Sequence, residues 1–329
     1  MSEYCHISLK PLTGKEVHPG YRDAEYRRLF GSLKVAPVLP FTRAEFFRAG
    51  GRYSKGMSIS GVQEKLPLGV RAGELVPVDT GGLYILKPSP EAFPHAAENE
   101  HAGMALSRLA GIETAQCGLI PFKDGELAYL CRRFDRDSSG NKLPQEDLLQ
   151  AAGRPSEDKY RLSYEEAGRI LFQATNGKPA PVLEMIKRVM LVYVMGNDDL
   201  HLKNLSLCRT SADAPYGHYD RLTPNYDVLF CDSFNRPSDE SFLALDLLAN
   251  DDFTPSYQRL GFYSLADFVE LGRRLDIPER AIKRFASQLV SLEDKAVALI
   301  RNSYMPQDMR EQSEAVFRNR LKAMRPSHP

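Results

Sequence analysis

The stretch Gly196-Asn197-Asp198-Asp199-Leu200-His201-Leu202-Lys203-Asn204-Leu205-Ser206 decides how the chain is read. It sets a dense group of Asn, Asp, His and Lys side chains between two apolar segments. Before it, Pro181–Met195 has the length and apolar spacing of a long helix at the buried centre of its half. After it, Leu205–Cys208 reads as a strand. Working outward, Ser163-Tyr-Glu-Glu166 is a capping box that opens a helix to Thr175, and Glu146–Ala152 also reads as helix. Later helices are marked by Ser264-Leu-Ala-Asp267 and Ser291-Leu-Glu-Asp294, with a last one near Gln307–Met324. Upstream of Gln145 the period shortens. Strands are predicted at Lys65–Val70, Glu74–Val78, Leu83–Lys87, Thr114–Pro121 and Glu126–Phe134, separated by turn signals such as Arg71-Ala-Gly73 and Lys123-Asp-Gly125. One helix, Ala97–Leu109, interrupts them and ends at Gly111. In the first segment, Cys5–Leu9 alternates like a short strand and Thr42–Ala49 has helical character. Strands followed by helices give an α+β chain of two lobes, a strand-rich lobe over 1–140 and an all-helical one over 141–329, with a cleft expected between them.

Composition narrows the function. The 329 residues are 43% hydrophobic and 26% charged, as in a soluble globular protein. Lys+Arg and Asp+Glu both number 43, so the net charge is zero and binding to nucleic acid through bulk positive charge is disfavoured. No apolar run approaches the ~20 residues of a bilayer span, and the amino terminus lacks the pattern of a signal peptide. The five cysteines (Cys5, Cys117, Cys131, Cys208, Cys231) are odd in number, far apart and never in CxxC, which fits reduced thiols and a cytoplasmic setting.

Three features carry chemistry. Asp199 and Asn204 have the D-x-x-x-x-N spacing of a kinase catalytic loop, in which Asp accepts the substrate hydroxyl proton and Asn binds Mg²⁺. Asp227 lies where a second metal-binding acid is expected, and hard oxygen donors suit Mg²⁺. Taken alone, the same residues are a polar loop that caps helices. Second, Ser58-Ile-Ser-Gly-Val-Gln-Glu-Lys65 precedes a strand, where backbone N–H groups can approach phosphates, though it is neither a Walker A loop nor G-x-G-x-x-G. Its plain alternative is a solvated turn. Third, Lys87 ends an apolar strand, with Glu98 and Glu100 at the start of the next helix as ion-pair partners; it is otherwise an ordinary strand-edge lysine. His201 has no His or Cys at ligand spacing, which disfavours a zinc hydrolase. The order along the chain is glycine loop, strand lysine, helix glutamate, Arg132-Arg133-Phe134, helical half, D-x₄-N, then Asp. It is the order of kinase parts.

On these residues the chain resembles the HipA-like serine/threonine kinases, toxin members of bacterial toxin–antitoxin systems. The likeness rests on Ser58–Leu66, Ile85-Leu-Lys-Pro88, Glu98-Asn-Glu100, Arg133-Phe-Asp-Arg136, Gln145-Glu-Asp147, Gly196–Asn204 and Tyr226-Asp227. It implies a two-lobed protein-kinase-like fold. The glycine loop comes earlier than in full-length HipA, which looks like the short HipT form, partnered by a separate small protein, HipS. Glu64 departs from that form, which has proline there, and matches HipA. By this resemblance Asp199 is the catalytic base, and Asn204 and Asp227 are the Mg²⁺ ligands. Lys87 holds the ATP phosphates under Ser60, Gly61, Val62, Gln63, Glu64 and Lys65, and Arg132, Arg133 and Phe134 touch the adenine. His201 either contacts the phosphate region or orders its loop. Ser58 and Ser60 resemble autophosphorylation positions, where a phosphate adds about −1.5 to −2 charge and would repel ATP phosphates. The resemblance further implies an aminoacyl-tRNA synthetase substrate (tryptophanyl-tRNA synthetase for HipT, glutamyl-tRNA synthetase for HipA), a HipB-like helix-turn-helix antitoxin, a HipS-like protein, and DNA contact only through the antitoxin. Two other readings stand beside it. One is a small-molecule kinase on the same scaffold, the other a catalytically silent scaffold for an antitoxin–operator complex, against which the intact Lys87, Asp199, Asn204 and Asp227 argue.

Overall fold

The computed structural model describes residues 3–53, 64–136, 142–209, 219–234 and 242–325. The chain divides into two compact units. One comprises Met1–Ala105, Ala115–Asn141 and Asn302–Pro306, the other Leu106–Thr114, Lys142–Arg301 and Gln307–Pro329.

The first unit is built on a five-stranded antiparallel sheet in the order β2-β1-β3-β5-β4, with β1 Leu66–Arg71, β2 Glu74–Pro77, β3 Tyr84–Pro88, β4 Cys117–Pro121 and β5 Leu127–Arg132. Its hairpins follow from local chemistry. Ala72 and Gly73 both take positive φ (50° and 82°), the two-residue turn whose twist matches the flanking strands. The β4–β5 turn ends on Gly125 (φ 93°), where Phe122 N–H bonds Glu126 O at 2.8 Å. Two helices, α1 Asp23–Phe30 and α2 Arg43–Tyr53, precede the sheet, and α3 Ala96–Leu109 follows β3. Thr42 and Glu45 cap α2 reciprocally. The core joins Cys5, Ile7, Tyr21, Tyr26, Leu29, Phe30, Leu39 and Phe46 to Leu66, Leu68, Leu86 and Leu130.

Two features differ from the sequence reading. Cys5–Leu9 is a turn, not a strand: Leu9 N–H bonds Cys5 O at 2.9 Å and Leu9 takes φ 56°. Cys5, Ile7 and Leu9 are all buried, so the alternation reported burial without strand pairing. Helix α1 was not expected, because half of its eight residues are charged and its apolar face is short.

The second unit is helical: α4 Leu148–Ala151, α5 Tyr164–Ala174, α6 Pro179–Met195, α7 Pro255–Leu260, α8 Leu265–Arg274, α9 Glu279–Ser291, α10 Glu293–Arg301 and α11 Gln307–Lys322. It is not all-helical, since β6 Gln145–Asp147, β7 Ser206–Cys208 and β8 Arg221–Leu222 form a small antiparallel sheet. Glu146 and Asp147, read as the start of a helix, belong instead to β6 and pair with β7, and Asp147 then caps α4 with Gln150 in a capping box. The boxes at Ser163 and Ser264 open α5 and α8. Ser291 is instead the last residue of α9, a helix the sequence reading did not separate. Helix α6 is the centre, with Met185, Ile186, Val189, Met190 and Val194 fully buried and α5, α8, α9 and α11 packed around it. Among the described residues no helix is long and apolar enough to cross a membrane, and the five cysteines form no disulfide.

Candidate active site

In the first unit, β3 is the middle strand of the sheet and its register places Lys87 opposite Tyr129. Lys87 does not face solvent: it is 6% exposed, and its Nζ donates to Glu100 Oε1 at 2.7 Å and Oε2 at 3.0 Å. Glu100, on α3, is itself 1% exposed, and the Tyr129 ring lies 5.3 Å from the ammonium. Glu98 is not the partner; it meets the half-exposed His95 at 3.2 Å. At the end of β5, Arg132 donates to Arg28 O at 3.3 Å. Arg133 grips Asp135 bidentately (2.8 and 2.6 Å). Burial alone would push the Asp135 carboxyl up, and the bond and charge of Arg133 outweigh it and hold it below its usual value. Phe134 beside them is half-buried, Glu64 is exposed and Lys65 is half-buried. Ser58, Ser60, Gly61, Val62 and Gln63 lie outside the described residues.

In the second unit, α6 stops because Gly196 takes φ 72°, a left-handed cap. A Cβ there would come within 2.7 Å of Asp232 Oδ2 and of Val316 Cγ1, so the close approach needs glycine. Asn197 then works in two directions. Its Nδ2 donates to Leu229 O at 2.8 Å, and its Oδ1 accepts Asp199 N–H at 2.8 Å. The Asp199 carbonyl is held from the other side by Asn204 Nδ2 at 3.0 Å and by His201 N–H at 2.8 Å. The main chain of Asp199 is thus fixed while its side chain stays 47% exposed. Its Oδ1 accepts the Tyr160 hydroxyl at 2.6 Å. Burial, then that bond and the Asp199 charge, push the Tyr160 phenol well above its ordinary pKa. His201 is buried and edge-on to Tyr160, with ring centroids 5.1 Å apart. Its Nε2 stands 4.0 Å from Asp199 Oδ1, too far for a hydrogen bond. Burial lowers its pKa against the pull of the Asp199 charge. Asp227 takes φ 61° directly after Tyr226, whose hydroxyl donates to Lys203 O at 2.9 Å and contacts Ser206 Oγ at 2.7 Å. The segment bearing Asp227 is thereby tied to the loop bearing Asp199 and Asn204.

The structure therefore joins Lys87 to Glu100 in one unit. In the other it gathers Asp199, His201 and Asn204 in one loop, with Tyr226-Asp227 tied to it. Sequence reasoning missed Asn197 and Tyr160. Asn197 had a signal, an amide beside the acid in a polar stretch after a buried helix. Tyr160 had none, lying 39 positions from the carboxylate it touches. Asn204 turns its amide nitrogen to Asp199 O, and its amide oxygen accepts no hydrogen bond among the described residues. Together with the Asp227 carboxylate it offers the hard oxygen donors that fit Mg²⁺.

The HipA-like C-terminal domain family matches residues 57–296. A Haemophilus influenzae protein named "Putative kinase" is 32% identical over 337 residues, covering 97% of this chain and 96% of that protein. The Shewanella oneidensis serine/threonine-protein kinase toxin HipA is 26% identical over 240 residues, covering 65% of this chain and 51% of that protein, so the chain spans about half its length. The solved HipA of the same organism, in complex with HipB and operator DNA, aligns with a TM-score of 0.63 at 20% identity over 82% of this chain and 64% of that one. The Helicobacter pylori proinflammatory kinase CtkA aligns with a TM-score of 0.53 at 15% identity, over 82% of this chain and 91% of that one. These two likenesses show the α+β, two-lobed protein-kinase-like fold. With a family match over most of its length and a relative similar from end to end, the chain belongs to the HipA-like C-terminal domain family.

Proposed function

We propose that the chain is an ATP- and Mg²⁺-dependent serine/threonine protein kinase acting as the toxin of a toxin–antitoxin system in the cytoplasm. The observation that carries this is Asp199, a half-exposed carboxylate on a main chain fixed by Asn197, His201 and Asn204. A general base needs that combination: free to reach a hydroxyl proton, yet held in place. Lys87, oriented by Glu100, binds the ATP phosphates, with the segment Ser60–Lys65 over them and Arg132–Phe134 at the adenine. Asn204 and Asp227 hold Mg²⁺, which when bound neutralises charge on the phosphates. Asp199 takes the acceptor proton as the hydroxyl oxygen bonds to the γ-phosphorus and the bond to ADP breaks. Phosphoryl transfer asks mainly for positioning and charge neutralisation, so these few groups suffice. His201, buried and drawn toward its neutral form, suits ordering the loop more than binding phosphate.

The substrate in this reading is an aminoacyl-tRNA synthetase, tryptophanyl-tRNA synthetase first. Ser58 and Ser60 are self-phosphorylation positions that switch ATP binding off. A HipB-like antitoxin and a HipS-like protein are the partners, with DNA reached through the antitoxin. The test incubates the chain with Mg-ATP and purified tryptophanyl- or glutamyl-tRNA synthetase, followed by phosphopeptide mapping and aminoacylation assays. The expected result is phosphate on the tryptophanyl enzyme with loss of charging. Self-phosphorylation with both synthetases left unmodified would contradict the substrate assignment.

A further inference from the structure

The Tyr160 hydroxyl lies 2.6 Å from Asp199 Oδ1, the length of a strong bond from a neutral hydroxyl to a carboxylate. It is the one hydrogen bond on that carboxylate among the described residues. A substrate hydroxyl must come within the same distance to hand over its proton. The Asp199 loop does not need the phenol, because Asn197, His201 and Asn204 hold its main chain.

Tyr160 is 47% exposed and ends a short 3-10 turn, Ser156–Tyr160. That turn is tied to the loop at its other end, where Lys203 Nζ donates to Ser156 Oγ at 2.9 Å. Lys159 Nζ lies 4.7 Å from the Tyr160 ring and His201 meets it edge-on. About half of the side chain thus faces solvent, and the anchor of the turn at Ser156 does not involve the phenol.

We propose that Tyr160 stands in for the acceptor: its phenol holds the place on Asp199 that a substrate hydroxyl must take, and a substrate enters by displacing it. This rests on the kinase reading above. It makes Tyr160 an acceptor-selecting residue, discriminating against hydroxyls that bring too little binding energy of their own to compete, water included.

The experiment compares initial rates of self-phosphorylation by intact mass, from phosphatase-treated protein in Mg-ATP, for the wild type, Tyr160→Phe, Asp199→Asn and the double variant. Phenylalanine keeps the ring against His201 and removes only the competing hydroxyl. The wild type should transfer phosphate and Tyr160→Phe should do so about three- to tenfold faster, the range set by one charge-assisted hydrogen bond partly replaced by water. The ATP concentration for half-maximal rate should stay unchanged, and both Asp199→Asn proteins should be inactive. A Tyr160→Phe rate equal to or below an active wild type overturns the proposal alone, since the phenol then orients the base or merely packs. Transfer by none of the four proteins overturns the kinase reading and this proposal with it.

Discussion

Lys87 and Glu100 bury opposite charges against one another, 6% and 1% exposed, on β3 and α3. Removing either partner strands the other charge, at a cost of roughly 3–5 kcal/mol, whereas replacing both by apolar residues is much milder. Urea unfolding of Lys87→Met, Glu100→Met and the double variant should show each single change as severe and the double as closer to wild type. Glu98→Gln should cost below about 1 kcal/mol, because its partner His95 is half-exposed. Additive single losses would contradict the pairing. His6 supplies a pH effect. Burial against the edges of the Tyr21 and Tyr304 rings lowers its pKa to about 4. The folded state then binds fewer protons than the unfolded one between the ordinary histidine value and pH 4. Stability is full above that window, falls as pH drops through it and levels off below, by roughly 3 kcal/mol at most. His6→Gln should flatten that part of the urea-midpoint profile between pH 7 and 4.

At the scale of elements, α6 and the loop it feeds depend on one cap. Gly196→Ala forces a left-handed φ on a residue with a Cβ and pushes it into Asp232, which Arg320 holds at 2.6 Å, and into Val316. The expected loss is about 2 kcal/mol in thermal unfolding, with a larger fall in any activity of Asp199. An unperturbed melting temperature would contradict the cap. What could be read in advance was local. The capping boxes at Ser163 and Ser264 involve residues three apart, and the strands at 66–71, 74–77, 84–88 and 127–132 carry their own turns. What could not be read depended on distant partners. Residues 145–147 are strand because β7, at 206–208, pairs with them, and Cys5–Leu9 is buried without pairing as a strand. Choosing Glu100 over Glu98 required knowing which face of α3 meets β3, and Tyr160 required the fold itself.

At the scale of the molecule, the family match begins at residue 57, yet the residues before it are not an appendage. Tyr21 OH donates to Leu119 O, Tyr84 OH to Leu29 O, and Leu119 N–H to His6 O, tying the opening segment to the sheet. Gly118 lies so close beneath it that a Cβ would meet Ile7 Cγ1 at 2.8 Å. Deleting residues 1–40 should therefore abolish folding of the sheet unit rather than trim it, seen as loss of cooperative unfolding in circular dichroism. The central proposal, however, is chemical: Asp199 is the base of a phosphoryl transfer from ATP. Intact-mass measurement after incubation with Mg-ATP tests it most directly, on the wild type, Asp199→Asn and Ser58→Ala/Ser60→Ala. The account predicts a gain of one or two phosphates in the wild type, a loss of at least about 10²-fold in rate for Asp199→Asn, and a reduced gain in the serine variant. Equal phosphate gain with and without the Asp199 carboxylate, or no gain and no ATP binding by an unmodified wild type, would contradict it.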